Sequence, residues 1–174
     1  MIANHSSLKL FFALWPDAPT RDALTRLQAP VAGRHTPRDK LHLTMAFLGQ
    51  QPVDKLPALL DILEAVPVPP MRLVVDCYGY FVKPRIAWAG VSEPPEALLA
   101  MQADLMARLE AAGFSTATHG AFKPHVTLAR DARSAPPGAP AAPVVWNVRE
   151  LALVESVTSG GPYRPIGRAD TADQ

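Results

Sequence analysis

Cysteine is almost missing from this chain: Cys77 is the only one in 174 residues. No intrachain disulfide can form, and a reducing cytoplasm is the expected location. At this length a chain buries roughly 70% of its unfolded surface, so it needs neither disulfide nor structural metal to fold. An excess of one charge is missing too. Seventeen Lys and Arg stand against sixteen Asp and Glu, for a net charge of +1. Binding to long nucleic acid scales with the phosphates neutralised, so this balance is no footprint for gripping an extended duplex. It leaves room for a small anionic substrate or the end of an RNA. Long hydrophobic runs are also lacking; none approaches the roughly 20 apolar residues of a membrane span. The N-terminal KLFFALWP has the look of a secretory h-region, but it stops at Pro16 and Asp17 with no small-residue cleavage site, and reads as a buried strand. Disorder is excluded by 48% hydrophobic and 19% charged residues.

What is present alternates between strand-like and helix-like segments. Leu8–Trp15 is apolar and aromatic-rich, and PDAP ends it. Leu24, Leu27 and Val31 then recur at helical spacing, with Thr20 as the expected N-cap and Gly33 as the stop. A strand is predicted over Leu41–Leu48. A helix starting near Pro52 follows, with Leu56, Leu59, Leu60 and Leu63 on one face. Met71–Phe81 and Arg85–Val91 read as two strands. The clearest helix carries Leu98, Met101, Leu105, Leu109 and Ala112, with Gly113 placed for its C-terminal cap. Strands over Pro124–Arg130 and Val144–Val157 flank a proline-rich surface loop, Ser134–Pro143. GGPYRPIG reads as a turn with a short terminal segment.

Lining up these segments reveals a repeat. LFFALWPDAPTRDAL leads through a helix to HLTM, and RIAWAGVSEPPEAL leads through a helix to HVTL. Each half is strand, proline-marked helix start, helix, and a strand bearing His-x-Thr. Two similar lobes related by an approximate two-fold axis are expected within one domain spanning the chain, their His-x-Thr strands facing a common cleft.

Side chains alternate along a strand, so His42 and Thr44 share one face while Leu43 and Met45 take the other. The same holds for His125 and Thr127 against Val126 and Leu128. Within a motif the histidine and threonine lie roughly 6.5–7 Å apart along the strand, a span that suits one phosphate group. Two imidazoles on one groove suit general acid–base catalysis, because a reference pKa near 6.5 makes both protonation states accessible near neutrality. Threonine hydroxyls and backbone N–H groups can hold non-bridging phosphate oxygens as charge shifts. The set fits cleavage of a phosphodiester, a strained cyclic one above all, with no metal or other cofactor.

HLTMAFLG, FKPHVTLAR, LFFALWPDA, RIAWAGV and, more weakly, SGGPYRPI resemble the 2H phosphoesterase superfamily, and within it the bacterial RNA 2′,3′-cyclic phosphodiesterase (2′–5′ RNA ligase) family. The resemblance implies an α+β, bilobal fold with two antiparallel sheets flanking a central cleft and helices outside. It implies hydrolysis of 2′,3′-cyclic phosphates at RNA 3′ ends to 2′-phosphates, without a cofactor; the expected partners are RNA 3′ ends or small 2′,3′-cyclic nucleotides, and the expected state is a monomer. It also implies His42 as proton donor, His125 as proton acceptor, and Thr44 and Thr127 as phosphate ligands. Phe47 matches an aromatic position that stacks on a base, against the alternative of an ordinary core phenylalanine. Arg130 matches the arginine closing the second motif. Strict alternation turns it away from His125, so a phosphate role requires a strand end or a bulge.

Other residues carry weaker expectations. His5 belongs to a polar tail. His35 and His119 precede the two motif strands by similar distances and either rim the cleft or sit on exposed loops. Tyr163 caps the groove or packs; Lys40 and Lys123 attract an anion or decorate the strand starts. A metal-dependent hydrolase is the first rival, but it needs a third histidine or a carboxylate, and neither motif contains one. A non-catalytic RNA-end binder with the same cleft is the second. Within the superfamily, cyclic nucleotides, ADP-ribose cyclic phosphate and the reverse, ligase direction stay open.

Overall fold

The computed structural model describes residues 7–116, 121–157 and 160–171. His5 and His119 lie outside the described residues. Ten strands and three helices follow in the order β1 (Ser7–Leu14), α1 (Ala18–Leu27), β2 (Arg34–His35), β3 (Leu43–Pro52), α2 (Leu56–Ala65), β4 (Met71–Val75), β5 (Cys77–Phe81), β6 (Ile86–Gly90), α3 (Glu96–Ala111), β7 (His125–Arg130), β8 (Val144–Val148), β9 (Glu150–Ser156) and β10 (Tyr163–Asp170). No helix among the described residues is long and apolar enough to cross a membrane.

The α+β, antiparallel expectation holds. One half-sheet runs β10-β9-β1-β3 and the other β7-β6-β5, with β2 also on β7. The halves meet at a single residue pair, Leu43 against Val126, which makes them one large sheet. These are the middle residues of the two His-x-Thr motifs. A second sheet contains only β4 and β8, centred on Leu73 against Trp146.

Two long predicted strands each break into two. The chain leaves the small sheet after Val75 and enters the large one at Cys77, with Asp76 between. It repeats the switch from Val148 to Glu150 around Arg149. Alternation alone did not mark either corner. The C-terminal segment, expected to be mainly a turn, forms β10 against β9. Helix α1 is capped by Asp17, whose carboxylate accepts from the Thr20 N–H at 3.0 Å, so the expected cap residue is instead the donor. It ends well before Gly33. The stretch from Val53 to Lys55 is a tight 3₁₀ turn, so α2 starts at Leu56 rather than near Pro52. Helix α3 buries Leu98, Met101, Leu105 and Leu109 as its spacing predicted, with Gly113 following in the left-handed region at φ 87°.

Strand β1 shows how the layers separate. Leu10, Phe12 and Leu14 join the large core that includes all three helices and the small sheet. Phe11 and Ala13 point the other way and pack with Ala152, Val154, Trp15 and Tyr163. That second face carries the polar motif residues. Trp88 reaches it from β6 by lying over two glycines: a Cβ on Gly90 would sit 2.6 Å from the indole, and one on Gly79 would clash with it outright. Glycine here makes room for an aromatic ring rather than a turn. Gly79→Ala should therefore displace Trp88 and cost about 1–3 kcal/mol, read as a lower urea midpoint; an unchanged midpoint would show that the indole is not held on this glycine.

Candidate active site

The register around Leu43 and Val126 decides the geometry. In an antiparallel pair with these residues opposite, His42 lies opposite Thr127 and Thr44 opposite His125. Leu43 and Val126 are buried in the core, at 0% and 1% exposure, so their neighbours point to the other face. Four polar side chains thereby form one cluster, each histidine facing the other motif's threonine. The two His-x-Thr strands are thus direct neighbours in one sheet.

Both imidazoles are held the same way. His42 Nδ1 donates to the Lys40 carbonyl at 2.6 Å, and His125 Nδ1 donates to the Lys123 carbonyl at 2.7 Å. In the neutral ring this assigns the proton to Nδ1 and leaves the Nε2 lone pair free. His42 Nε2 lies 3.0 Å from Thr44 Oγ1, so the hydroxyl donates to it.

Phe47 and Arg130 reach the same face through matched irregularities. Against β1, Met45 is an extra residue between the pairs Ala13–Thr44 and Phe12–Ala46. Against β6, Leu128 is an extra residue between Trp88–Thr127 and Ala87–Ala129. Each bulge buries two consecutive residues, Met45 with Ala46 and Leu128 with Ala129, and so reverses the alternation beyond it. Phe47, 45% exposed, is not a core phenylalanine. At Arg130 the bulge supplies the break in alternation needed to bring its side chain to the cleft face.

Two grooves open on either side of the cluster. One, of about 1170 Å³, is lined by Thr44, Phe47, Phe81, Met106, Phe122 and His125 among others. The second, of about 320 Å³, contains His42, Thr127 and Arg130, with Lys40 and Tyr163 at its side. No residue of the Ser134–Pro143 loop lines either groove. His35 borders the second groove although its side chain is exposed, its Nε2 2.7 Å from the Val31 carbonyl. Among the described residues no three His, Cys, Asp or Glu side chains converge as metal ligands.

The surroundings of the two histidines are aromatic. Phe11 stacks on His42 with ring centres 4.8 Å apart, Trp15 follows at 6.1 Å, and Tyr163 meets its edge at 5.5 Å. Phe81 and Trp88 flank His125 at 5.2 and 5.7 Å. Lys40 Nζ lies 4.9 Å over Tyr163, and Lys123 Nζ lies 5.6 Å over Trp88. Arg21, 6% exposed, bridges the Pro16, Arg38 and Leu41 carbonyls and rests 4.5 Å over Trp15. It fixes the turn that delivers His42. These supports left only faint notice in the sequence: Phe11 and Trp15 belong to one aromatic-rich apolar run, and Trp88 to another, each ahead of a His-x-Thr strand. Nothing local marked Arg21.

Burial pushes the His42 pKa from its ordinary 6.5 down to about 4; the Lys40 carbonyl opposes this, while Arg21, His125 and Arg130 add to it by charge repulsion. His125 is lowered as well, mainly by burial. Between pH 6.5 and about 4 the unfolded chain accepts a proton at His42 that the folded protein refuses, so stability falls as pH falls through this window. The loss attributable to His42 is at most about 3 kcal/mol by pH 4. His42→Gln should remove most of it, measured by urea unfolding at pH 7 and pH 4.5; equal acid losses in both proteins would contradict the burial described.

This arrangement has counterparts among known proteins. The family model for the 2′-5′ RNA ligase superfamily matches residues 15–160. The RNA 2′,3′-cyclic phosphodiesterase of Escherichia coli (strain K12) is 34% identical over 172 residues, covering 92% of this chain and 94% of its own. The RNA 2′,3′-cyclic phosphodiesterase of Thermus thermophilus is also 34% identical, covering 86% of this chain and 82% of its own. The crystal structure of Escherichia coli LigT complexed with 3′-AMP superposes with a TM-score of 0.86 at 30% identity, over 96% of this chain and 99% of that one. The family match includes both His-x-Thr strands and the aromatic and arginine positions brought beside them, and the chain belongs to the 2′-5′ RNA ligase superfamily.

Proposed function

We propose that this protein hydrolyses 2′,3′-cyclic phosphate ends of RNA to 2′-phosphates by two-histidine acid–base catalysis without a metal. The observation that carries the reading is the cluster itself: two imidazoles, each locked through Nδ1 to a backbone carbonyl, each opposite a threonine. The names of the relatives support the substrate class.

In the proposed step His125 Nε2 takes a proton from water as the water oxygen attacks phosphorus. The P–O3′ bond breaks, its electron pair goes to O3′, and His42 Nε2–H supplies the proton. The products are a 2′-phosphate and a free 3′-hydroxyl. Thr44 and Thr127 hydroxyls and the Arg130 guanidinium hold the non-bridging oxygens, where charge accumulates in the transition state. Phe47 stacks on the terminal base. Ligation is the same ring opening with an RNA 5′-hydroxyl in place of water: the 5′ oxygen bonds to phosphorus, the P–O3′ bond breaks, and a 2′–5′ phosphodiester with a free 3′-hydroxyl results.

The low pKa of His42 fits a donor that is charged by its substrate. In the folded protein the imidazolium is disfavoured by burial and neighbouring cations. A bound phosphate places a negative charge beside the ring and favours the protonated form. The profile of kcat/KM reports the free protein and kcat reports the complex. The alkaline limb of kcat/KM should therefore lie at or below the ordinary histidine pKa near 6.5, and that of kcat at higher pH. Coincident limbs would contradict a substrate-charged acid.

Product analysis with a cyclic-phosphate-ended oligoribonucleotide in chelator tests the reaction. Wild type should yield the 2′-phosphate, and His42→Ala and His125→Ala should each lower turnover by roughly 10²–10⁴-fold. RNA binding with no conversion by wild type would favour the non-catalytic reading. Activity surviving both substitutions would sink the two-histidine mechanism.

A further inference from the structure

The groove beside His42 differs from its neighbour in charge. Lys9, Arg34, Lys40 and Arg130 line it together with His35, and no Asp or Glu does. Among the described residues Lys9, Lys40 and Arg130 have no carboxylate partner; Arg34 meets Asp131 at 3.0 Å, with both side chains largely exposed. Such an exposed pair offsets little.

The strand pairing makes this concentration of charge costly. Arg34 of β2 lies directly opposite Arg130 of β7, and like charges in that relation repel. The fold nonetheless clamps the two strands together. Gly33, at φ 103°, allows an approach in which a Cβ would stand 2.8 Å from the Arg130 carbonyl oxygen. Thr36 donates its N–H to the Leu128 carbonyl at 2.8 Å and its hydroxyl to the Thr127 carbonyl at 3.0 Å. The buried Gln28 amide donates to the Thr36 and Leu128 carbonyls at 2.8 and 3.0 Å. A two-residue strand is thus tied down by four hydrogen bonds and a glycine, and what it presents is an arginine facing an arginine. With Arg130 committed to the reacting phosphate, a further anion beside Arg34, Lys9 and Lys40 turns the rest of this repulsion into binding.

We propose that this cationic groove binds a second phosphate of RNA, distinct from the one that reacts; a second phosphate on the reacting strand makes an oligoribonucleotide end a better substrate than a mononucleotide. The proposal rests on the cyclic phosphodiesterase reading and deepens it. The reacting phosphate belongs to the His–Thr cluster, and the aromatic groove beside His125 suits a base. The second groove, of about 320 Å³, shares His42, Thr127 and Arg130 with the reacting phosphate and adds Lys9, Arg34 and Lys40, the charge for one further phosphate. That phosphate comes either from the same strand or from a second strand bearing a 5′-hydroxyl; the chemistry recognised is the same.

The test compares wild type with the double variant Lys9→Gln, Arg34→Gln. The substrates are a cyclic-phosphate-ended oligoribonucleotide and a nucleoside 2′,3′-cyclic monophosphate. The ratio of the two kcat/KM values should fall roughly tenfold in the variant, and the salt dependence of the oligonucleotide reaction should flatten. A 3′-blocked oligoribonucleotide with a 5′-hydroxyl is added as a competitor. If the ratio holds but the variant escapes this inhibition, the phosphate belongs to a second strand and the groove is still its site. An unchanged ratio with unchanged inhibition overturns the proposal. Fluorescence anisotropy with the same oligonucleotides keeps the two readings apart. Wild-type binding that the double variant loses supports the groove even where no substrate turns over, an outcome that would defeat only the hydrolase reading.

Discussion

One antiparallel contact, Leu43 against Val126, organises the molecule. It is the only residue pair joining β3 to β7, and so the only ladder contact between the two halves of the large sheet through these strands. Because side chains alternate, burying these two residues drives both histidines and both threonines to the opposite face. Because the strands run antiparallel, each histidine is matched with the threonine of the other motif. The variable letter in His-x-Thr is therefore as consequential as the named ones. An apolar residue there anchors the cluster to the core, and a polar one would loosen the joint on which the site is built.

The bulges at Met45 and Leu128 extend the same logic. Strict alternation would give each motif strand two polar positions on the cleft side and then turn its next odd-spaced residue inward. An extra residue in each strand reverses that phase and brings a third side chain into play. On one strand it is an aromatic ring and on the other a guanidinium. Two strands that share a bulge after the motif threonine thereby end in chemically unlike groups.

Much of this was legible in the sequence because it depends on local pattern. The apolar positions flanking each motif marked the strands; the spacing of Leu98, Met101, Leu105 and Leu109 marked α3 and its buried face. What escaped notice depends on long-range pairing. The corners at Asp76 and Arg149 move the chain from one sheet to another, yet the apolar alternation runs on through both. Phe47 and Arg130 were ambiguous because a bulge is a property of two strands together. Arg21 reads as a surface residue of an amphipathic helix, and only the carbonyls of Pro16, Arg38 and Leu41 make it a buried one.

The position of β1 has a consequence for how the molecule is made. It lies between β3 and β9, and β9 comes from Glu150–Ser156, more than a hundred residues later in the chain. During synthesis β1 can pair with β3 early, but its other edge stays open until Glu150–Ser156 has left the ribosome. An open apolar edge of this kind is prone to pairing with other chains, and contacts of such sequence separation slow folding. The aromatic seat of His42 is completed only at that late stage, since Ala152, Val154 and Tyr163 close around Phe11 and Trp15. The histidine nearer the N-terminus is thus assembled last.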